Sequence, residues 1–178
     1  MAVNMNRVFY TIQRKKQYNK GFTLVELIIV VAILAILVGL LVPQYINHVE
    51  KSRKSTDASN LEQLVSAVKI AVADSDYNLD PGGYTVAIRK NDAYLGIDTG
   101  STEENVKKLI QAMKEYTEYD FQGSQASGYT CTDLKLKTDR WTDLGEWSMI
   151  YAYIQVKKDS SFLITYFPDD IQDFADAK

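Results

Sequence analysis

Twenty-one consecutive residues, Phe22 to Val42, carry one charge between them, and it is negative: Glu26. A helix of that length rises about 1.5 Å per residue, roughly 31 Å in all, the thickness of a bilayer's hydrocarbon core. The many Val and Ile residues are no obstacle, because in lipid a backbone that closes its own hydrogen bonds outweighs side-chain propensity. A carboxylate inside such a segment costs on the order of 3 kcal/mol even on the lenient insertion scale, so Glu26 needs a compensating partner or a task. Pro43 follows at once. It lacks an amide hydrogen and crowds the carbonyl of Gly39, which makes Gly39 to Pro43 the expected place for a helix break.

The residues before this segment are basic: Arg7, Arg14, Lys15, Lys16 and Lys20. They hold the N-terminus in the cytoplasm by the positive-inside rule, as they would in an ordinary signal anchor. A plain anchor does not need Glu26, however, and no small-x-small cleavage site follows the apolar run. The run Lys20-Gly21-Phe22-Thr23-Leu24-Val25-Glu26, with the charged leader before it and Pro43 after it, resembles the class III signal of type IV prepilins. The resemblance covers roughly residues 14 to 53 and says little about the rest.

That resemblance implies cleavage between Gly21 and Phe22 and N-methylation of the new Phe22 amine by the same peptidase. It divides the chain into a cytoplasmic leader, 1–21, a transmembrane and assembly helix, 22–43, and residues 44–178, which hold the amphipathic half of the stem helix and a globular head. The implied fold is α+β, a long N-terminal helix packed on a C-terminal antiparallel sheet with an additional helix in the head. Glu26 would pair with the Phe22 ammonium of a neighbouring subunit, a charge that exists only after the cut. The stretch around Gly39 and Pro43 would lose helicity in the filament. The implied partners are further copies of the chain, minor pilins, the prepilin peptidase and methyltransferase, an inner-membrane assembly platform and, before assembly, the cytoplasmic membrane. The product would be an extracellular pilus serving adhesion, aggregation or twitching motility, with no catalysis and no cofactor. A pseudopilin of a type II secretion or competence system shares this N-terminal pattern. A membrane-anchored binding or enzymatic domain that never polymerises is the alternative from another class.

Composition bounds the remainder. About 125 residues lie beyond the stem, the size of one ordinary domain. The formal charge of −3 hides an asymmetry, because removing a leader with five basic residues and no acidic one leaves 15 Lys and Arg against 23 Asp and Glu, a side-chain sum of −8. No direct nucleic-acid binding is expected of such a balance. The short Lys51-Ser52-Arg53-Lys54 patch reads as a solvated collar outside the membrane. One cysteine, Cys131, cannot close an intrachain disulfide, so stability must come from core burial. Many type IV pilins have a C-terminal disulfide; with its lone cysteine and long leader, this chain resembles Gram-positive or clostridial members more. Cys131 lies in a strand-like run and reads as a small buried apolar residue.

Leu61, Leu64, Val65, Val68, Ala71 and Val72 recur at helical spacing and form one apolar face, expected to lie on a sheet. Strands are expected at Tyr84–Arg89, Tyr129–Leu136, Trp147–Val156 and Ser161–Phe167. The last two form a hairpin around Lys157-Lys158-Asp159-Ser160, with Met149, Tyr151 and Tyr153 alternating on one strand and Phe162, Ile164 and Tyr166 on the other. A second helix is expected over Thr102–Tyr119, opened by a capping box of Ser101 with Glu104. The acidic end, Pro168 to Phe174, suits a short helical turn.

Asp74, Asp76, Asn78 and Asp80 place oxygen side chains at alternate positions, the opening of a calcium loop. Leu79 stands where such a loop requires Gly and Thr85 where it requires a bidentate Glu, so a solvated helix-ending loop is the better reading and no metal site is assigned. The single histidine, His48, excludes His-based triads and multi-histidine metal sites from the head. Twelve tyrosines and two tryptophans read mainly as core and contact surface.

Overall fold

The computed structural model describes residues 21–97, 102–124, 128–138, 140–141, 148–169 and 171–175, and the chain divides into two compact units between Pro43 and Gln44. Helix α1 occupies Leu24–Ala73 and is long and apolar enough to cross a membrane. In the first unit every described side chain is exposed, including Leu24, Ile28, Val31, Leu34 and Ile36. The helix assignment passes Gly39 and Pro43 without interruption.

The second unit has a conventional core. From Gln44 onward α1 buries Ala58, Leu61, Leu64, Val65, Ala67, Val68 and Ala71, the three-and-four spacing expected of one apolar face, with Val72 packed at its margin. Burying each of these Leu and Val side chains contributes about 2 kcal/mol. They meet a six-stranded sheet of β1 (Gly82–Arg89), β2 (Ala93–Ile97), β3 (Gln122–Ser124), β4 (Gly128–Cys131), β5 (Met149–Val156) and β6 (Phe162–Phe167). The strand order is β3-β4-β2-β1-β5-β6 and every pairing is antiparallel. Register places Tyr84, Ile97, Ile154 and Ile164 in one row, and Val86, Leu95, Ala152 and Tyr166 in the next. The α+β architecture expected from the sequence is the one observed.

Helix α2 (Glu103–Thr117) buries Val106, Leu109, Ala112 and Met113. It begins later than the capping box predicts: Thr102 is the N-cap, its hydroxyl accepting from Asn105 N at 3.3 Å, while Ser101 lies outside the described residues. The helix stops at Glu118, which takes the left-handed conformation with φ 65° and donates its N–H to Lys114 O. A short helix, α3 (Ile171–Ala175), closes the described chain.

One expected strand needs correction, and two strands were not foreseen. Strand β4 ends at Cys131 instead of Leu136, because the chain turns there; Leu134 is nevertheless buried, and Leu136 N donates to Arg89 O at 3.1 Å. On β5, Ile150, Ala152, Ile154 and Val156 are buried, while Met149, Tyr151 and Tyr153, the alternating set noted in the sequence, are half-buried. Both sets alternate with the same period, so pattern alone does not choose between them. Strands β2 and β3 escape the sequence reading because they are short, three to five residues, each interrupted by a glycine, and β3 is otherwise polar. Trp147 lies outside the described residues. The β5–β6 hairpin is as expected, its turn held by Lys157 N donating to Ser161 O at 2.9 Å. On β6, Phe162, Ile164 and Tyr166 pack against the core. Cys131 is buried and free.

Candidate processing and assembly site

At the start of α1 the side chains close on one another. Glu26 Oε2 accepts from Thr23 N at 2.8 Å and from the Thr23 hydroxyl at 2.7 Å. In return Glu26 N donates to Thr23 Oγ1 at 3.2 Å, and Leu27 N donates to Thr23 O. Thr23 and Glu26 are three residues apart, and this reciprocal arrangement is a capping box: two amides that a helix start leaves without partners are satisfied, and a carboxylate sits at the positive end of the helix dipole. The sequence reading assigned Glu26 to a neighbour's ammonium and missed this local partner, although the Thr-x-x-Glu spacing signals it. Phe22 N is a peptide nitrogen without charge in this chain, and Thr23 is the partner that the exposed Glu26 carboxylate takes.

Gly21 and Phe22 stand on open ground. Phe22 is 87% exposed. A Cβ added at Gly21 meets nothing within 4 Å, and its backbone is outside the left-handed region that favours glycine. Nothing in the packing of the described residues requires glycine there. Gly39 has the same freedom, so its lack of a side chain also serves no contact within the described chain.

The calcium-loop residues are used otherwise. Asp74 Oδ2 accepts from Tyr116 OH at 2.5 Å and Asp74 Oδ1 from Asp76 N at 2.9 Å. Asp80 N donates to Asn105 Oδ1, and Asp80 O accepts from Tyr84 OH. Asn78, with φ 44°, forms the turn. Among the described residues no three His, Cys, Asp or Glu side chains converge as a metal site would require. The Asp74 carboxyl is held below its ordinary value by the Tyr116 hydroxyl, and that bond pushes the Tyr116 phenol up to about 12. Tyr77, bonded to Glu115, is likewise pushed to about 12.

A second cluster joins α1 to the C-terminal segments. Asp57, fully buried, accepts from Lys137 N at 2.7 Å, Thr138 N at 3.2 Å and Trp141 Nε1 at 2.9 Å. Burial raises its carboxyl above the ordinary range, opposed by those three donors. Lys54 lies over the rings of Trp141 and Phe174, 5.1 and 5.3 Å from their centroids, and Ser55 donates to Phe174 O. Part of the supposed collar is therefore packed: Lys54 is half-buried on aromatic faces, while Lys51 and Arg53 remain exposed.

The chain thus combines an exposed Gly–Phe junction, a helix long and apolar enough to cross a membrane whose apolar part carries one charge, Glu26, and an α+β head. Residues 16–42 match the family model described as the prokaryotic N-terminal methylation motif. The relatives include the type IV major fimbrial protein FimA of Dichelobacter nodosus, 44% identical over 59 residues, which are 33% of this chain and 38% of that protein. They also include the type IV major pilin protein PilA of Myxococcus xanthus, 38% identical over 65 residues, covering 36% and 30%. A fimbrial protein of Dichelobacter nodosus is 28% identical over 145 residues, 64% of this chain and 88% of its own. The chain is thus similar to type IV pilins, chiefly over its N-terminal part, and it spans well under half the length of the first two relatives. The Gram-positive affinity receives no support from these relatives. No solved structure matches.

Proposed function

We propose that this chain is the precursor of a pilus subunit, cut between Gly21 and Phe22, methylated at Phe22, and polymerised through its N-terminal helix into an extracellular filament. The observation that supports this best is the methylation motif, residues 16–42, on a helix whose side chains from Phe22 to Val42 are all exposed. Such a surface needs lipid or other helices around it. Lipid before assembly and sister stems afterwards provide equally apolar surroundings, so extraction from the membrane need not carry a large net cost. Away from lipid, stem burial stabilises the filament by roughly 25 cal/mol per Å2.

Cleavage converts Phe22 N from an amide to an ammonium. Glu26 then exchanges its Thr23 bonds for a neighbour's charged chain end, an interaction strengthened by the low dielectric of a bundle of stems. The pair sets register; apolar contact supplies the affinity. The role is structural, not catalytic. Processing requires the prepilin peptidase, and assembly requires further copies of the chain, minor pilins and the platform in the cytoplasmic membrane. Gly39 and Pro43 give the point where the stem unwinds in the filament.

Glu26→Gln separates the two stages. Leader removal, read by the mass of the N-terminus, is expected to proceed, while filament yield falls at least tenfold. Normal filament yield from the cut variant would show that the pairing is wrong. An uncut leader on extracellular threads of the unaltered protein would remove the whole reading.

A further inference from the structure

Three separated segments bring four cations around one cavity of about 360 Å3: Arg53 from α1, Lys90 from the β1–β2 turn, and Lys135 and Lys137 from the connection after β4. Asn91, Leu136 and Thr138 complete its lining. We propose that this cavity is a phosphate-binding site.

Three described acids beside the lining residues hold other groups, and Asp57 also faces the Lys137 charge. Asp92 holds Arg89 through two bonds, at 2.6 and 2.9 Å. Asp57 accepts the Lys137 and Thr138 amides and the Trp141 ring N–H, and Glu50 takes the Thr138 hydroxyl. None of the four cations forms an ion pair with a described residue. Convergent like charges repel, and in a mature chain whose side chains sum to −8 their collection at one place stands against the general balance. The place is also fixed: Leu136 N is bonded to Arg89 O, and Asp57 holds the next two amides. Anchored backbone lowers the ordering cost of binding.

Phosphate suits this arrangement better than carboxylate does. Its several oxygens can meet several donors, Arg offering a planar fork and Lys a point charge. A cavity at the small end of the range for ligand sites fits one headgroup-sized anion. A nucleic acid would instead call for a row of cations along its backbone. Arg53 lies on the part of α1 that follows the apolar segment in sequence, so an anionic lipid headgroup and free phosphate are both chemically suitable sources.

The mature full-length chain in uncharged micelles is titrated with inorganic phosphate while the amide signals of Asn91, Leu136 and Lys137 are followed. Saturable shifts are expected, with a dissociation constant of about 1 mM. The triple variant Lys90→Gln, Lys135→Gln, Lys137→Gln is expected to weaken binding at least tenfold, and Lys107→Gln, Lys108→Gln, Lys114→Gln on α2 to leave it unchanged. Arg53→Gln, an exchange at an exposed position, serves the same purpose should the triple variant melt lower. The titration is repeated in nanodiscs of phosphatidylglycerol and of phosphatidylcholine. Weaker phosphate binding in phosphatidylglycerol alone identifies the headgroup as the occupant; equal binding identifies soluble phosphate. Shifts that do not saturate, or that fall equally in both lysine sets, overturn the site.

Discussion

Two carboxylates collect donors in different settings. Glu26, exposed, closes on Thr23, while Asp57, fully buried, takes three N–H donors. For Asp57 the partners cannot be replaced cheaply, because removing the acceptor leaves buried donors unsatisfied at about 1 to 3 kcal/mol each. Asp57→Ala is therefore expected to destabilise the head by about 3 kcal/mol, measured by urea unfolding in micelles. Asp57→Asn keeps one oxygen but turns an amino group toward N–H donors, and should fall between the two. Because the Asp57 carboxyl titrates above its unfolded value, burial of its charge opposes folding as pH rises through that window. The deficit of Asp57→Asn relative to the unaltered chain should accordingly narrow from pH 3 to pH 6, and a constant deficit would contradict the assignment. Glu118 gives a prediction of opposite sign. It stands just past α2 in a left-handed conformation, at the negative end of the helix dipole. Glu118→Gly removes both penalties and should stabilise the head by about 0.5 kcal/mol, a rise of 1 to 2 °C in melting midpoint.

Elements were legible in proportion to how much one periodicity had to say. The buried face of α1 was readable because Leu61, Leu64, Val65, Val68 and Ala71 fit one helical stripe and no other. Strand β5 was readable as a strand but not as to its face, since Met149-Tyr151-Tyr153 and Ile150-Ala152-Ile154 are both apolar; tertiary packing chose the branched set for the core. The N-terminal methylation motif was readable in residues 16–42, whereas the Asp57 cluster and the four-cation cavity depend on contacts more than 30 residues apart that no local pattern encodes. The link between the end of α1 and α2 is of that kind. Tyr116 bonds Asp74, Tyr77 bonds Glu115, and the two rings meet edge to face at 6.1 Å. Both phenols lose protons in the unfolded chain near pH 10 and in the folded chain near 12. Their contribution is whole below pH 10 and disappears as pH rises toward 12, so the melting midpoint should drop across that interval. Tyr77→Phe with Tyr116→Phe should lower the midpoint at pH 8 and flatten the drop.

At the scale of the whole chain the two units make opposite demands on their surroundings. The head buries its apolar side chains within itself, while the stem, apolar on every side, buries none of them. On the proposed function, the stem is judged by what surrounds it: a peptidase reading the glycine, lipid, and then sister helices. Gly21→Ala illustrates the point, because the added methyl meets nothing in the chain and should leave folding and membrane insertion intact while blocking leader removal. The head is judged by its own stability instead. The two kinds of substitution should then dissociate in both directions. Thr23→Val removes the hydroxyl from the capping box, a loss of at least about 1 kcal/mol for the first turn. It should lower the yield of membrane-inserted precursor, and filament yield only in that proportion, with the head's urea midpoint unchanged. Asp57→Ala should lower that midpoint and leave cleavage of the inserted precursor at its normal rate, because the contacts it breaks all lie beyond Gln44. Distant sites without shared partners act independently to within about 0.5 kcal/mol, and the double variant should show both defects at their separate sizes. Slow cleavage of a fully inserted Asp57→Ala precursor would mean that head folding controls presentation of the Gly21–Phe22 bond, and the division of labour between the units would have to be abandoned.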